Sequence, residues 1–350
     1  MTRAVEDQAG LSATPEDDRA GDAAGAIGPP GAASSRAGFV SRIGPYWALV
    51  AWLVAIVIFS LLNPETFATW NNFRAILGEQ SLLAIAALAV TIPLVCGQFD
   101  LSIAANIGLT GMLTAGMMAN SDLPWELAVV IGLGIGIGIG LANGVLVAGF
   151  GVHSFIATLG VSTIVGGFTL WYGKGQIIFE GIDSQFPQIA RERVLGLPIT
   201  VLYLVVIAAL AWFMLGHTPF GRYLYAIGSN RAAAAVAGVR VRLYTAASLV
   251  ICGGLAGVTG VLLTSRTASA QNGAGDAFLL PAFAAAFIGA ATFRRGEFNV
   301  LGTIVGVYFV ATLVSGAFIL GAENYVSLLI SGFALIVAVI GNRALARKLK

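Results

Sequence analysis

The sequence predicts an all-α integral membrane protein with about ten transmembrane helices, both ends in the cytoplasm and a short cytoplasmic helix between two spans. Three observations lead there. Of 350 residues, 57% are hydrophobic and only 10% are charged, against about a quarter in a soluble domain. The apolar residues form runs long enough for a hydrocarbon core about 30 Å thick. The basic residues gather in alternate loops, as the positive-inside rule requires. A mean hydropathy of +0.87 agrees.

Residues 1–40 read as a disordered cytoplasmic tail, rich in Ala, Gly, Ser, Pro, Asp and Glu, with too little apolar surface to order itself. They are no secretory signal, because this polar stretch precedes the first apolar run. The membrane-spanning body is expected over 41–342, and residues 343–350 read as a basic cytoplasmic tail. The spans fall near Pro45–Leu62, Ala75–Val95, Leu101–Ala119, Trp125–Phe150 and Phe155–Tyr172, then near Leu197–Leu215, Tyr244–Thr264, Leu279–Thr292, Asn299–Leu320 and Tyr325–Ile340. The eighth is short and reads as tilted, broken or partly inserted. With the N-terminus inside, fourteen basic residues face the cytoplasm and five, Arg74, Lys174, Arg191, Arg193 and Arg266, face out.

The second and third spans are joined by Cys96-Gly97-Gln98-Phe99-Asp100-Leu101-Ser102. A carboxylate at mid-bilayer costs about 2.5–3.5 kcal/mol on insertion scales, and irregular backbone there must face protein or a water-filled cavity. Two compatible readings follow. Phe99, Asp100 and Ser102 lie toward a substrate path, or Asp100 or Ser102 caps the third helix. Glu79 reads as a carboxylate at headgroup level or near a helix N-terminus.

In the fourth span Gly132, Gly136, Gly140 and Gly144 share one helix face, with Gly134 and Gly138 between them. This is a packing stripe for close helix approach. It is not a dinucleotide fingerprint, which needs a βαβ unit. Cys96 and Cys252 sit in apolar runs and read as small buried hydrophobes. Two distant histidines and the absence of ligand spacing argue against a metal site. No Gly-x-x-x-x-Gly-Lys-Ser/Thr is present, and no nucleophile, base and orienter come together.

The loop Gly216–Leu243 is long and basic. Pro219 and Gly221 punctuate its entry. Asn230 is a good N-cap, the run Ala232–Ala235 a strong helix former, and Gly238 a good stop. The result is a helix of about two turns outside the membrane, too short to be stable alone. It either docks in a partner's groove or lies on the headgroups. The outer loop 173–196, with Arg266–Phe278, can meet a soluble partner on the other face.

The chain resembles the ribose/xylose-type permeases of bacterial ATP-binding-cassette importers over roughly residues 45–342. Three stretches carry the resemblance. Gly97 to Ser102 looks like the family's Gly-x-x-Asp-Leu-Ser, and Phe155 to Gly160 like its Phe-Ile-x-Thr-Leu-Gly. Gly221-Arg222 through Gly238 is similar to its Ala-Ile-Gly-x-Asn-x-x-Ala-Ala…Gly loop. The resemblance implies a subunit without its own ATPase site in the bacterial inner membrane. Its expected partners are an ATPase subunit that binds ATP and magnesium, a periplasmic or lipid-anchored sugar-binding protein, a second permease copy and membrane lipid, but no nucleic acid. It implies that Phe99, Asp100, Ser102 and Thr158 lie toward the substrate path. It makes Asn230 through Gly238 the coupling helix, in a loop including Gly221, Arg222, Gly228, Ala233 and Ala234. Arg231, where the family often has an acid, and Gly289–Gly296 depart from the pattern. The rival functions are transport of branched-chain amino acids or nucleosides, ATPase-independent carriage, and membrane enzymology.

Overall fold

The computed structural model describes residues 46–293 and 296–347. The tail expected over 1–40, the loop arginines Arg294 and Arg295, and residues 348–350 lie outside the described residues. In the described part the expected helices are α1 Trp47–Leu62, α2 Trp70–Val95, α3 Ile103–Ser121, α4 Trp125–Gly144 and α5 Ser154–Gly173. A single turn, α6 Gln188–Arg191, and a two-stranded hairpin follow, β1 Arg193–Val194 and β2 Leu197–Pro198. The second half holds α7 Ile199–His217, α8 Pro219–Ser229, α9 Arg231–Val236, α10 Val241–Thr267, α11 Asp276–Ala290, α12 Val300–Ile319 and α13 Tyr325–Arg347.

Each expected span coincides with a helix, and most boundary differences have local causes. α2 begins at Trp70 rather than Ala75 because Thr69 caps it, its hydroxyl accepting the Asn72 N–H at 3.2 Å. α13 runs to Arg347, past the expected span end at Ile340, because Ala344, Leu345 and Ala346 favour helix. α4 ends in a π-helical turn, Val145–Gly149. Six helices (α2, α4 with that turn, α5, α7, α10 and α12) are long and apolar enough to cross a membrane. α1, α11 and the apolar part of α13 are shorter. α3 spans 19 residues but carries Asn106, Thr110 and Thr114, all buried.

α2 and α10 form the centre. From Ser81 to Val95 nearly every α2 side chain is buried. The two helices run antiparallel: Glu79 lies by Arg266, and Cys96 by Ser248. At about 1.5 Å per residue, the 26 residues of α2 reach about 39 Å, enough to cross a bilayer. The outer faces of α1, α4, α5, α7 and α13 expose Leu53, Val130, Phe168, Leu210 and Phe333. A soluble protein does not leave so much apolar surface bare; lipid accounts for it.

The glycine stripe sets how closely the centre packs. A Cβ at Gly136 would meet the backbone of Gly253 and Gly257, and one at Gly140 that of Leu249, Val250 and Gly253. Gly132 faces Thr114, and Gly144 faces Ala246. Gly134 and Gly138 have nothing within reach. Asn106 fastens this seam, its Nδ2 donating to Gly136 O at 3.2 Å and to Gly253 O at 3.1 Å, so α3, α4 and α10 are pinned at one level.

Candidate functional site

At one end of α2 the helix ends at Val95, just past Pro93, and Gly97 takes φ +76°. The turn that follows is tied to two other helices. Phe99 N–H donates to Ser154 Oγ at 3.1 Å, and Leu101 N–H to Thr158 Oγ1 at 3.0 Å. The first turn of α5 thereby holds the irregular backbone that a membrane interior would otherwise leave unsatisfied.

Asp100 is 1% exposed within this joint. Its Oδ1 accepts the Ser102 N–H at 2.9 Å and the Ser102 hydroxyl at 2.6 Å. Asn143 of α4 donates from Nδ2 to Ser102 Oγ at 2.7 Å and lies 3.3 Å from Asp100 Oδ1. Cys252 of α10, fully buried, adjoins the same carboxylate. Buried carboxylates persist when such donors replace water, and the N-terminal end of α3 adds a favourable dipole. Ser102 occupies the N-cap position of α3, but its hydroxyl makes no capping bond; it donates to Asp100 instead. The cap expected from sequence is therefore a three-residue knot of Asp100, Ser102 and Asn143.

Of the four residues expected toward a substrate path, Asp100, Ser102 and Thr158 are buried in this joint. Phe99 is half-buried and stacks on Phe283 of α11, with ring centroids 6.1 Å apart. Asn143 and Ser154 were missed in the sequence. Asn143 sits inside the glycine-rich span, where it reads as one more small residue. Ser154 follows a loop and has no local signal.

The loop Gly216–Leu243 corrects one expectation. Pro219 does not merely punctuate it but opens α8, an 11-residue helix, because proline at the first helical position loses no hydrogen bond. α8 buries Leu224 and Ile227 against the core, and Tyr225 Oη donates to Phe298 O at 2.7 Å. Gly228 faces Val95 O so closely that a Cβ there would collide with it. α8 thus rests directly on the end of α2 that leads into the joint. α9 follows, with Asn230 Oδ1 accepting the Ala233 N–H at 3.0 Å and Gly238 at φ +83° beyond its end. Ala234 is buried, while Arg231, Ala233 and Val236 are exposed, Val236 by 91%. Arg222, Arg240 and Arg242, also exposed, make the surroundings basic.

At the other end of α2 an open cavity of about 640 Å³ lies between α2, α6, the hairpin and the facing ends of α10 and α11. Arg74, Glu79, Arg191, Arg193 and Arg266 line it. Arg266 Nη1 donates to Glu79 O at 3.1 Å, and Arg191 Nε to Arg266 O at 2.8 Å. The loops that form this end are joined by main-chain bonds between Ile178 and Ala270 in both directions, at 2.9 and 2.8 Å.

Residues 72–339 match the model of a family described as the permease component of branched-chain amino acid transport systems. The chain belongs to this permease family. The permease is 34% identical to the ribose import permease protein of Bacillus subtilis (strain 168) over 307 residues, 87% of this chain and 94% of that protein. It is 30% identical to the D-allose transport system permease protein of Escherichia coli (strain K12), over 88% of this chain and 94% of that one. It is 31% identical to the autoinducer 2 import system permease protein of Photorhabdus temperata, over 86% and 92% respectively. No solved structure matches the permease. Its matched region starts in α2 and ends in α13, so it contains the joint, the α8–α9 pair and the cavity.

Proposed function

We propose that this permease is the membrane subunit of an ATP-driven importer for a monosaccharide of the ribose or allose kind, in the bacterial inner membrane. The observation that carries the reading is α9: an exposed, capped helix mounted through α8 on the end of α2, in a chain whose relatives include ribose and D-allose permeases. Two turns of helix with an apolar tip are unstable alone and gain from a groove that receives them. That groove belongs to a partner ATPase, which binds ATP and magnesium; the permease has no phosphate-binding loop of its own.

Ten helices cross the bilayer with both ends in the cytoplasm, α8 and α9 inside and the cavity outside. Two permease copies pair around the path, and a soluble sugar-binding protein delivers the cargo. When the ATPase pair closes, α9 is pushed, α8 moves with it, and the contact of Gly228 on Val95 carries the motion to the 96–102 turn. The knot of Asp100, Ser102 and Asn143, with Ser154 and Thr158, keeps that turn and the ends of α3, α4 and α5 as one body. Phe99 is the member of this group that reaches the path, while Asp100, Ser102 and Thr158 position it. A site that must release its cargo binds it weakly, so selectivity rests with the delivering protein.

Reconstitution tests the reading. Proteoliposomes holding the permease with its ATPase, supplied with the binding protein, should accumulate D-ribose or D-allose only when ATP is present. Uptake at an undiminished rate by the permease alone, or uptake of leucine in place of either sugar, would refute it.

A further inference from the structure

We propose that Thr245 of α10 is a positioning residue of the joint, whose hydroxyl donates to Asn143 Oδ1 in a second conformation of the α4 end, reached as the π-helical turn Val145–Gly149 shifts during transport. The part this bond plays in import rests on the importer reading. The pair itself stands on three observations.

The first is a matched pair of unpaired atoms. Among the described residues three buried side-chain polar atoms have no hydrogen-bond partner, and two of them are Asn143 Oδ1 and Thr245 Oγ1. Both residues are fully buried. Asn143 Nδ2 is engaged by Ser102 Oγ, which leaves the amide oxygen as a bare acceptor. Thr245 departs from the habit of its own chain. Buried threonines of other helices, among them Thr91, Thr114, Thr169 and Thr312, return their hydroxyls to the carbonyl four residues back. Thr245 does not, so its O–H is a bare donor. Unpaired buried groups are rare in folded interiors and cost free energy, and each calls for a cause.

The second is placement. α4 and α10 run antiparallel, with Gly136 against Gly257, Gly140 against Gly253 and Gly144 against Ala246. Asn143 and Thr245 each stand one residue before the last of these contacts. In antiparallel right-handed helices, the residues just before a shared contact turn to the same side of the seam. That side is the joint: Asn143 and Cys252, two turns beyond Thr245 on the same face, both adjoin Asp100.

The third is an element that can move. Glycines along the seam leave few interlocking side chains to hold α4 on α10. Two residues after Asn143, α4 passes into the π-helical turn, whose wider ring is a recurrent feature of functional sites. Migration of that turn along the helix rotates the residues it passes. A rotation that carries Asn143 Oδ1 toward α10 meets the Thr245 hydroxyl and pairs both bare atoms at once.

The test separates a bond made only in the second state from one already present through a water. Thr245→Val keeps the shape and removes the hydroxyl. Because that hydroxyl is unpaired in the state described, the full permease in detergent should unfold at the same temperature or about 1–4 °C higher. In proteoliposomes with the ATPase and the binding protein, kcat for ATP-driven D-ribose or D-allose uptake should fall about fivefold, with KM changed by about twofold or less. Thr245→Ser, which restores the donor, should recover most of the rate. A trifluoromethyl label on Val145→Cys, at the half-exposed start of the π-helical turn, should give two fluorine resonances. The minor one should vanish in Thr245→Val and persist in Thr245→Ser. An unfolding temperature lowered by more than about 3 °C in Thr245→Val overturns the proposal, since the hydroxyl is then bonded at rest. So does an unchanged kcat, or a single resonance with Thr245 in place. Two resonances that depend on Thr245, in a permease that takes up neither sugar with ATP, would remove the importer reading and keep the pair. ATP-driven uptake with one resonance and an indifferent Thr245→Val would do the reverse.

Discussion

The two ends of α2 are built on opposite plans. At Val95 the helix runs into a closed joint in which Asp100 has its hydrogen bonds made by Ser102 and Asn143, and in which the backbone of α8 lies directly on the helix end. At Arg74 the same helix opens on a cavity whose four guanidiniums have one carboxylate among them. A closed polar cluster resists change and transmits displacement, because a member that moves alone loses its bonds. An open, unbalanced one attracts an outside partner. The contrast sets the two ends of one central helix apart: closed and hydrogen-bonded at one, open and cationic at the other.

The comparison can be broken most directly at the closed end. Ala233→Glu puts a bulky charge on the exposed face of α9, and Gly228→Val drives a side chain into Val95 O. Either should abolish ATP-driven uptake while membrane insertion, read by fractionation, stays intact. Unchanged uptake in both would detach α8 and α9 from the motor. Asp100→Leu comes next. It strands the Ser102 and Asn143 donors in a buried site and should lower stability by about 3 kcal/mol or more, seen as an earlier unfolding transition in detergent. Gly136→Leu should cost about 1–3 kcal/mol by forcing α4 off the backbone of Gly253 and Gly257, while Gly134→Leu, facing open space, should be close to neutral. The pair sharpens the packing argument, since equal effects would show that the stripe has no directional role. The smallest effect is Asn230→Ala. It removes the α9 cap and should cost about 1 kcal/mol of local stability, read as faster amide exchange over 231–236 with only a modest fall in uptake.

Apolar runs made the spans legible, because the length of a helix in lipid is set by the bilayer and not by distant contacts. The cap at Asn230 and the stop at Gly238 were equally plain, being local. α8 was not, since proline reads alike as a break and as a helix start. The 96–102 turn declared itself as polar residues between apolar flanks. Its partner Asn143 stands 43 residues further on in a run of small residues, and only the fold brings the two together. The cavity was legible only in part: loop 173–196 and Arg266–Phe278 read together as one outer surface, but nothing joined Arg74 and Glu79 of α2 to them. Arg74, Arg193 and Arg266 belong to three separate segments, and only the fold brings them to one cavity.

The central claim is that α9 and the hairpin tip stand on opposite faces of the membrane, with α9 in the motor's grip. It is tested by single cysteines replacing Val236 and Leu195 (Val236→Cys, Leu195→Cys), with the native Cys96 and Cys252 silent because both are buried. A membrane-impermeant maleimide should label position 195 in right-side-out vesicles and position 236 in inverted ones, and bound ATPase should protect 236. Labelling of both positions from the same side, or no protection of 236 by the ATPase, would contradict the account.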